Sequence, residues 1–233
     1  MEILEVLTKD GKPVPYDFAV TPTLLNAYNR YVRNEDDESW ESLFNIINGV
    51  KRELPDGVRK GIVFESLINK MVDGYYPEVD GDTIQFKDYQ FKLIVVEKVF
   101  NKLKNCQTKQ EEMSVIIPSH LGNIKLHGVL DFGYPKMITD LKTTEVYKCN
   151  KYVKNTQHPT YSLIRKLKGN PVDSFKYLVT DFEKVYQETY IPNEKMFQNL
   201  LFNVFEFINF LILYKDHITN TKIFKSEPCT ITD

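Results

Sequence analysis

Two hydrophobic rhythms divide the chain, a helical one over roughly its first hundred residues and a strand-like one after them. After a short extended start, Thr21-Pro22-Thr-Leu-Leu-Asn-Ala-Tyr opens a helix that continues to Tyr31. Thr21 stands where a capping oxygen is needed, and Pro22 takes the first helical position, where its missing N–H costs nothing. The acidic run Glu35-Asp36-Asp37-Glu38 reads as a solvated loop leading into a helix over residues 39–53. Ile62, Val63, Leu67, Ile68 and Met71 recur at helical spacing and predict a helix over 58–72, closed by Gly74. Phe91, Ile94, Val95, Val99 and Leu103 predict a long amphipathic helix over 88–104.

From residue 114 the pattern changes. Apolar runs at 114–118, 124–132 and 137–142 are separated by the turns Leu121-Gly-Asn and Gly133-Tyr-Pro, which predicts three strands in a meander. A helix follows over 156–167, then strands over 175–180 and 185–190, then a helix over 193–214 rich in Phe, Leu and Ile, read as core or a subunit interface. This order predicts an α/β (α+β) sandwich with the sheet in the middle. The 233 residues suit one domain. Residues 1–57 read as an N-terminal helical elaboration, 58–192 as the core, and 193–233 as a C-terminal helix and tail.

Composition narrows the class. At 42% hydrophobic residues the chain can bury a real core without disulfides or a structural metal. Cys106, Cys149 and Cys229 are odd in number and scattered, which argues against a disulfide framework and against a four-thiolate zinc or iron–sulfur site. A reducing cytoplasm is the expected location. The N-terminus shows no basic region followed by an apolar run. The stretch 205–214 is too short to span a bilayer and is interrupted by Glu206 and Asn209, so no membrane association is expected. His120, His127, His158 and His217 show no metal-ligand spacing, and His127 and His158 read as structural. A net charge of −2 lacks the basic excess that marks many nucleic-acid binders, though a local basic patch can serve beside catalytic carboxylates.

The chemistry concentrates in Gly128-Val-Leu-Asp131-Phe-Gly-Tyr-Pro-Lys-Met-Ile-Thr-Asp140-Leu-Lys142. Strand residues two apart share a face, so Asp140 and Lys142 project together, and the hairpin can bring Asp131 to the same side. Apolar flanks make burial of these charges expensive without a compensating cation. Carboxylates suit a hard divalent ion, and a neighbouring lysine can orient a water and offset developing negative charge during phosphodiester hydrolysis.

With these residues in place the chain resembles the PD-(D/E)XK nucleases, in their RecB-like and phage-exonuclease branches. Four motifs carry the resemblance: Gly61-Ile-Val-Phe-Glu65 on a helix, Gly128-Val-Leu-Asp131 and Asp140-Leu-Lys142 on strands, and Gln157-His-Pro-Thr-Tyr161 on the next helix. RecB-like members usually carry His where Glu65 stands, and many hold an iron–sulfur cluster on four cysteines absent here; both departures favour the phage-exonuclease side. The resemblance implies a restriction-endonuclease-like core with a central mixed sheet flanked by helices. It implies one or two Mg²⁺ or Mn²⁺ ions held by Glu65, Asp131, Asp140 and the Leu141 backbone carbonyl, with Lys142 positioning the nucleophile and no iron–sulfur cluster. Gln157 and Tyr161 would steady the scissile strand. Lys148, Lys151 and Lys154, interleaved with Tyr147 and Tyr152, form either a solvated loop or a set of phosphate contacts. The activity implied is a metal-dependent DNA exonuclease acting on linear ends in phage-type recombination or DNA processing, with a single-strand-annealing or other recombination protein as partner. The rival readings are a non-catalytic protein that binds DNA ends or a partner on the same fold, and a site-specific endonuclease.

Overall fold

The structure, a computed structural model, describes residues 15–34 and 39–224. The expected acidic loop at 35–38 and Cys229 lie outside the described residues. The first elements are β1 (Phe18–Val20), α1 (Pro22–Val32), α2 (Trp40–Ile47) and α3 (Asp56–Val72). Thr21 caps α1 as expected, its hydroxyl oxygen accepting the Leu24 N–H at 3.3 Å, with Pro22 in the first turn. The second helix ends at Ile47 rather than near residue 53. Asn48 takes the C-cap, and Gly49 turns the chain at φ +66°, a conformation glycine adopts without steric cost.

A second correction concerns residues 79–92. They form β2 (Val79–Asp80), β3 (Thr83–Phe86) and β4 (Tyr89–Lys92), an antiparallel three-stranded sheet, so α4 begins only at Leu93 and runs to Leu103. Ile84, Phe86 and Phe91 alternate inward and are buried. Phe91 also lies four residues before Val95, so it satisfies both periods, and its pairing with Ile84 of β3 selects the strand.

The main sheet uses β1 with β5 (Thr108–Ser119), β6 (Gly122–Gly133), β7 (Met137–Thr143), β8 (Ser174–Thr180) and β9 (Val185–Tyr190). Successive pairs from β5 to β7 are antiparallel, β7 and β8 are parallel, β8 and β9 antiparallel, and β1 runs parallel to β6. A parallel pair needs a crossover, and α5 (Gln157–Leu167) supplies it between β7 and β8. The chain closes with α6 (Glu194–Leu213).

Alternating strand residues feed two cores. Ile138, Phe175, Tyr177 and Val179 pack in one with Leu25, Ile47, Ile164 and Phe207, from α1, α2, α5 and α6. Leu141, Leu178 and Phe132 pack in the other with Phe64, Ile68, Phe86 and Val99, from α3, the small sheet and α4. Because both faces of the central strands are covered, they read as near-continuous apolar runs. The architecture is the mixed α/β one expected, a central mixed sheet between helices. By length and composition α6 could cross a membrane, which residues 205–214 alone could not. It nevertheless buries a stripe of Phe197, Leu200, Val204, Phe207, Ile208 and Leu211 against the sheet side of the molecule.

Candidate active site

The site begins where β6 and β7 part. Their ladder comprises only Phe132↔Thr139 and Gly133↔Ile138. The next pair in register would set Asp131 against Asp140, and it does not form. Instead, Asp131 Oδ2 accepts the Leu141 N–H at 3.0 Å, so a side chain replaces the missing strand partner. In a strand the N–H and C=O of one residue point to the same side, so the Leu141 carbonyl faces the same opening. On the other edge of β6, Gln110 stands opposite Asp131 but drops out of the β5 ladder with φ +49°. Backbone regularity is thus broken on both sides of Asp131, at a position where a side chain must be re-aimed.

Asp140 is 1% exposed. Its Oδ1 accepts from Gln157 Nε2 at 3.0 Å, and its Oδ2 lies 2.6 Å from Lys142 Nζ without an aligned hydrogen bond. Glu65 reaches the site from α3, where Gln110 Nε2 donates to its Oε1 at 3.1 Å. The helix can approach β7 because Gly61 has no side chain. A Cβ there would stand 2.2 Å from Thr143 Oγ1 but 3.4 Å from Thr143 Cβ. We therefore expect Gly61→Ala to destabilise the fold by about 1–3 kcal/mol, as overpacking does. Adding Thr143→Ala should recover most of that loss in urea unfolding; strictly additive effects would show that this contact does not set the helix position.

Burial raises the pKa of all three carboxyls. For Glu65 and Asp131 the charge of Asp140 adds to the rise, and Lys142 opposes it. For Asp140, Lys142 and Gln157 act against the effect of burial. Burial works against the charge on Lys142, but Asp140 and Asp131 outweigh it and hold its pKa above the ordinary lysine value. The four groups therefore sense one another, and the lysine stays cationic. Among the described residues, no three His, Cys, Asp or Glu side chains stand ready-clustered for a metal ion. Each carboxylate has instead its own donor, Gln110, Leu141 N–H or Gln157.

Glu65, Lys142 and Lys151 line an open groove of about 640 Å³ whose lips carry Val58, Ile62 and Val146. Of the three loop lysines, only Lys151 lines this groove; its Nζ donates to Thr144 Oγ1 and the Val146 carbonyl. Lys148 is exposed, and Lys154 lines a different cavity. Tyr161 requires a correction. It is 4% exposed, its hydroxyl donates to the Val129 carbonyl at 2.8 Å, and it passes over Gly128, where a Cβ would meet its ring at 2.8 Å. Buried under β6, it steadies the strand that carries Asp131 and offers no surface to a nucleic acid. The two glycine-bearing motifs are thus explained by close approach, Gly61 to Thr143 and Gly128 to Tyr161.

Gln110 and Glu188 escaped the sequence reading. Glu188 is buried on β9. Its Oε1 accepts from Tyr147 OH at 3.0 Å and the Lys151 N–H at 2.9 Å, and its Oε2 from Tyr190 OH and the Tyr152 N–H. One carboxylate thereby fastens the loop that presents Lys151. Glu188→Ala is expected to cost about 3 kcal/mol, since several buried donors lose their acceptor together, with Glu188→Gln costing less. Equilibrium unfolding would measure it, and a cost within 0.5 kcal/mol of zero would show the loop to be held otherwise. His158 is structural as expected: its ring stacks on Tyr190, its Nδ1 lies 3.2 Å from Tyr177 OH, and burial lowers its pKa to about 4.

No protein-family profile and no curated protein matches this chain. Among solved structures, it is similar to a candidate exonuclease from Eubacterium rectale, at 14% identity and a TM-score of 0.48 over 88% of this chain and 85% of that one. It is also similar to the protein SSO0001, at 10% identity and a TM-score of 0.47 over 83% and 78%. Likeness at this level leaves function to be argued from the site itself.

Proposed function

We propose that this chain is a nuclease of the PD-(D/E)XK type that hydrolyses DNA with the help of Mg²⁺ or Mn²⁺, acting as an exonuclease in phage-type recombination or DNA processing. The observation that carries the reading is the contact of buried Asp140 with Lys142, which lines an open groove together with Glu65, while Asp131 and Asp140 lie behind that lining. The donor set fits a hard divalent cation. Glu65, Asp131, Asp140 and the Leu141 carbonyl offer only oxygen, and Asp140 Oδ2, paired with Lys142 Nζ at 2.6 Å, keeps a further lone pair for an ion. When bound, such an ion would polarise a phosphate oxygen and make water a stronger acid.

The chain's own groups do the rest. Lys142, kept cationic by Asp140 and Asp131, orients the attacking water and offsets charge gathering on the phosphate. Glu65, with its pKa raised, is suited to take the proton that the water gives up. Gln157 fixes the Asp140 carboxylate from α5, and Lys151 offers its ammonium to a phosphate along the groove.

The test is incubation with linear and circular DNA in Mg²⁺, Mn²⁺ or chelator. Metal-dependent loss of linear DNA alone is expected, and undiminished cleavage by Asp140→Ala and Lys142→Ala would defeat the assignment. Discrete cuts in circular DNA would point to an endonuclease. One observation favours a second reading, a non-catalytic protein that binds DNA ends or a partner: the three carboxylates are not already clustered. Absence of Mn²⁺ binding in calorimetry would favour it.

A further inference from the structure

We propose that the cavity bounded by α1, residues 153–156 and the first half of α6 is a second nucleic-acid site, which holds unpaired nucleotides of a single strand. It rests on the nuclease reading only in taking that strand to be continuous with the one in the catalytic groove. The cavity is about 640 Å³, within the size range that encloses ligands of nucleotide dimensions. Arg33, Lys154 and Lys195 line it, and no aspartate or glutamate does among the described residues. Glu194, next to Lys195, is ion-paired with Lys166 and is not part of the lining. The N-terminal end of the 20-residue α6 adds its partial positive charge.

Recognition of a base needs a flat apolar face and amide edges, and the cavity has both. Phe202 is 67% exposed on its rim, an orientation that burial of apolar surface opposes and that a stacking partner would reward. Exposed Asn199 stands on the same wall, and Asn203 is held in place by a reciprocal amide pair with Asn29. Such amides hydrogen-bond the edges of unpaired bases.

The cavity is also joined to the catalytic loop. Lys151 lines the groove and Lys154 lines the cavity. Three residues apart, their Cα atoms are at most about 11 Å from each other. A strand leaving the groove along this loop would reach the cavity within a few nucleotides. A solvated cleft between helices would not need the exposed ring.

The experiment is fluorescence anisotropy of a labelled single-stranded oligonucleotide of about a dozen residues, with the full chain in chelator so that nothing is cut. Phe202→Ala is expected to weaken binding about tenfold, within the range of base–aromatic stacking, and Phe202→Tyr to restore it. Lys195→Gln should reduce the slope of log K against log salt by about 0.7, the value of one single-strand phosphate contact. If the wild type does not bind the oligonucleotide, or Phe202→Ala and Lys195→Gln bind as it does, this site is overturned whether or not the protein cuts DNA. Absence of metal-dependent cleavage, with binding and its variant pattern intact, would count against the nuclease reading alone.

Discussion

Asp140→Asn is expected to abolish both cleavage and Mn²⁺ binding, whereas Lys142→Met is expected to abolish cleavage while the ion still binds. The two residues touch, but they face different tasks. Asp140 presents a buried, charged oxygen, which an amide nitrogen or a neutral oxygen replaces poorly as a ligand. Lys142 donates no electron pair to a metal; its charge matters when negative charge gathers on the phosphate. Loss of one such stabilising group typically costs about 10²–10³ in rate, so each variant should fall at least that far. Single-turnover rates on linear DNA, beside calorimetric titration with Mn²⁺, separate the two roles. Loss of metal binding in both variants, or in neither, would contradict this division.

Asp131→Asn should do the reverse of most substitutions at a buried polar site: it should raise the metal-free melting temperature. Asn can still accept the Leu141 N–H through its amide oxygen, so the bond that terminates the β6–β7 ladder survives. What disappears is a charge whose burial and proximity to Asp140 and Glu65 raise its pKa. Removing such a cost is worth about 1 kcal/mol, which for a chain of this size is about 2–4 °C. The pH dependence follows in sign. A carboxyl whose pKa is higher folded than unfolded keeps a proton that the unfolded chain has released. Its stabilising contribution is complete below the unfolded value and is lost as pH rises through the folded one. Without metal, the wild type should therefore lose part of its stability across that interval, and Asp131→Asn should lose less. Mg²⁺ should stabilise the wild type increasingly as pH rises, because the ion and the proton compete for the same oxygens. Differential scanning calorimetry with and without Mg²⁺ would show this crossing. An Asp131→Asn protein that melts lower than wild type and keeps the full Mg²⁺ response would remove Asp131 from the ion's ligands.

Much of the fold is legible in the sequence. The order of helices and strands follows from period and punctuation, and Thr21-Pro22 announces α1 in the only way a cap can, by residue type. Asp140 and Lys142 share a face because strand period is fixed at two. What escaped depends on contacts distant in sequence. Phe91 fits a helix and a strand equally, and only its pairing with Ile84 of β3 separates β4 from α4. Gln110 has no local signal at all; it matters because the register of β5 sets it opposite Asp131. Tyr161, one turn from Gln157, is expected from the sequence to steady the scissile strand. Its burial follows from Gly128, thirty-three positions earlier, which leaves room for the ring.

The parting of β6 from β7 carries a further meaning. β1 and β7 occupy the same margin of β6, one at Ile124–Leu126 and the other at Phe132–Gly133, so the interval between them is bounded at both ends like the notch between two tines. Backbone attraction alone would anneal that notch, setting Asp131 face to face with Asp140. Two buried like charges oppose such annealing. The acidity of this corner therefore does architectural service even in the resting protein: it props the sheet ajar.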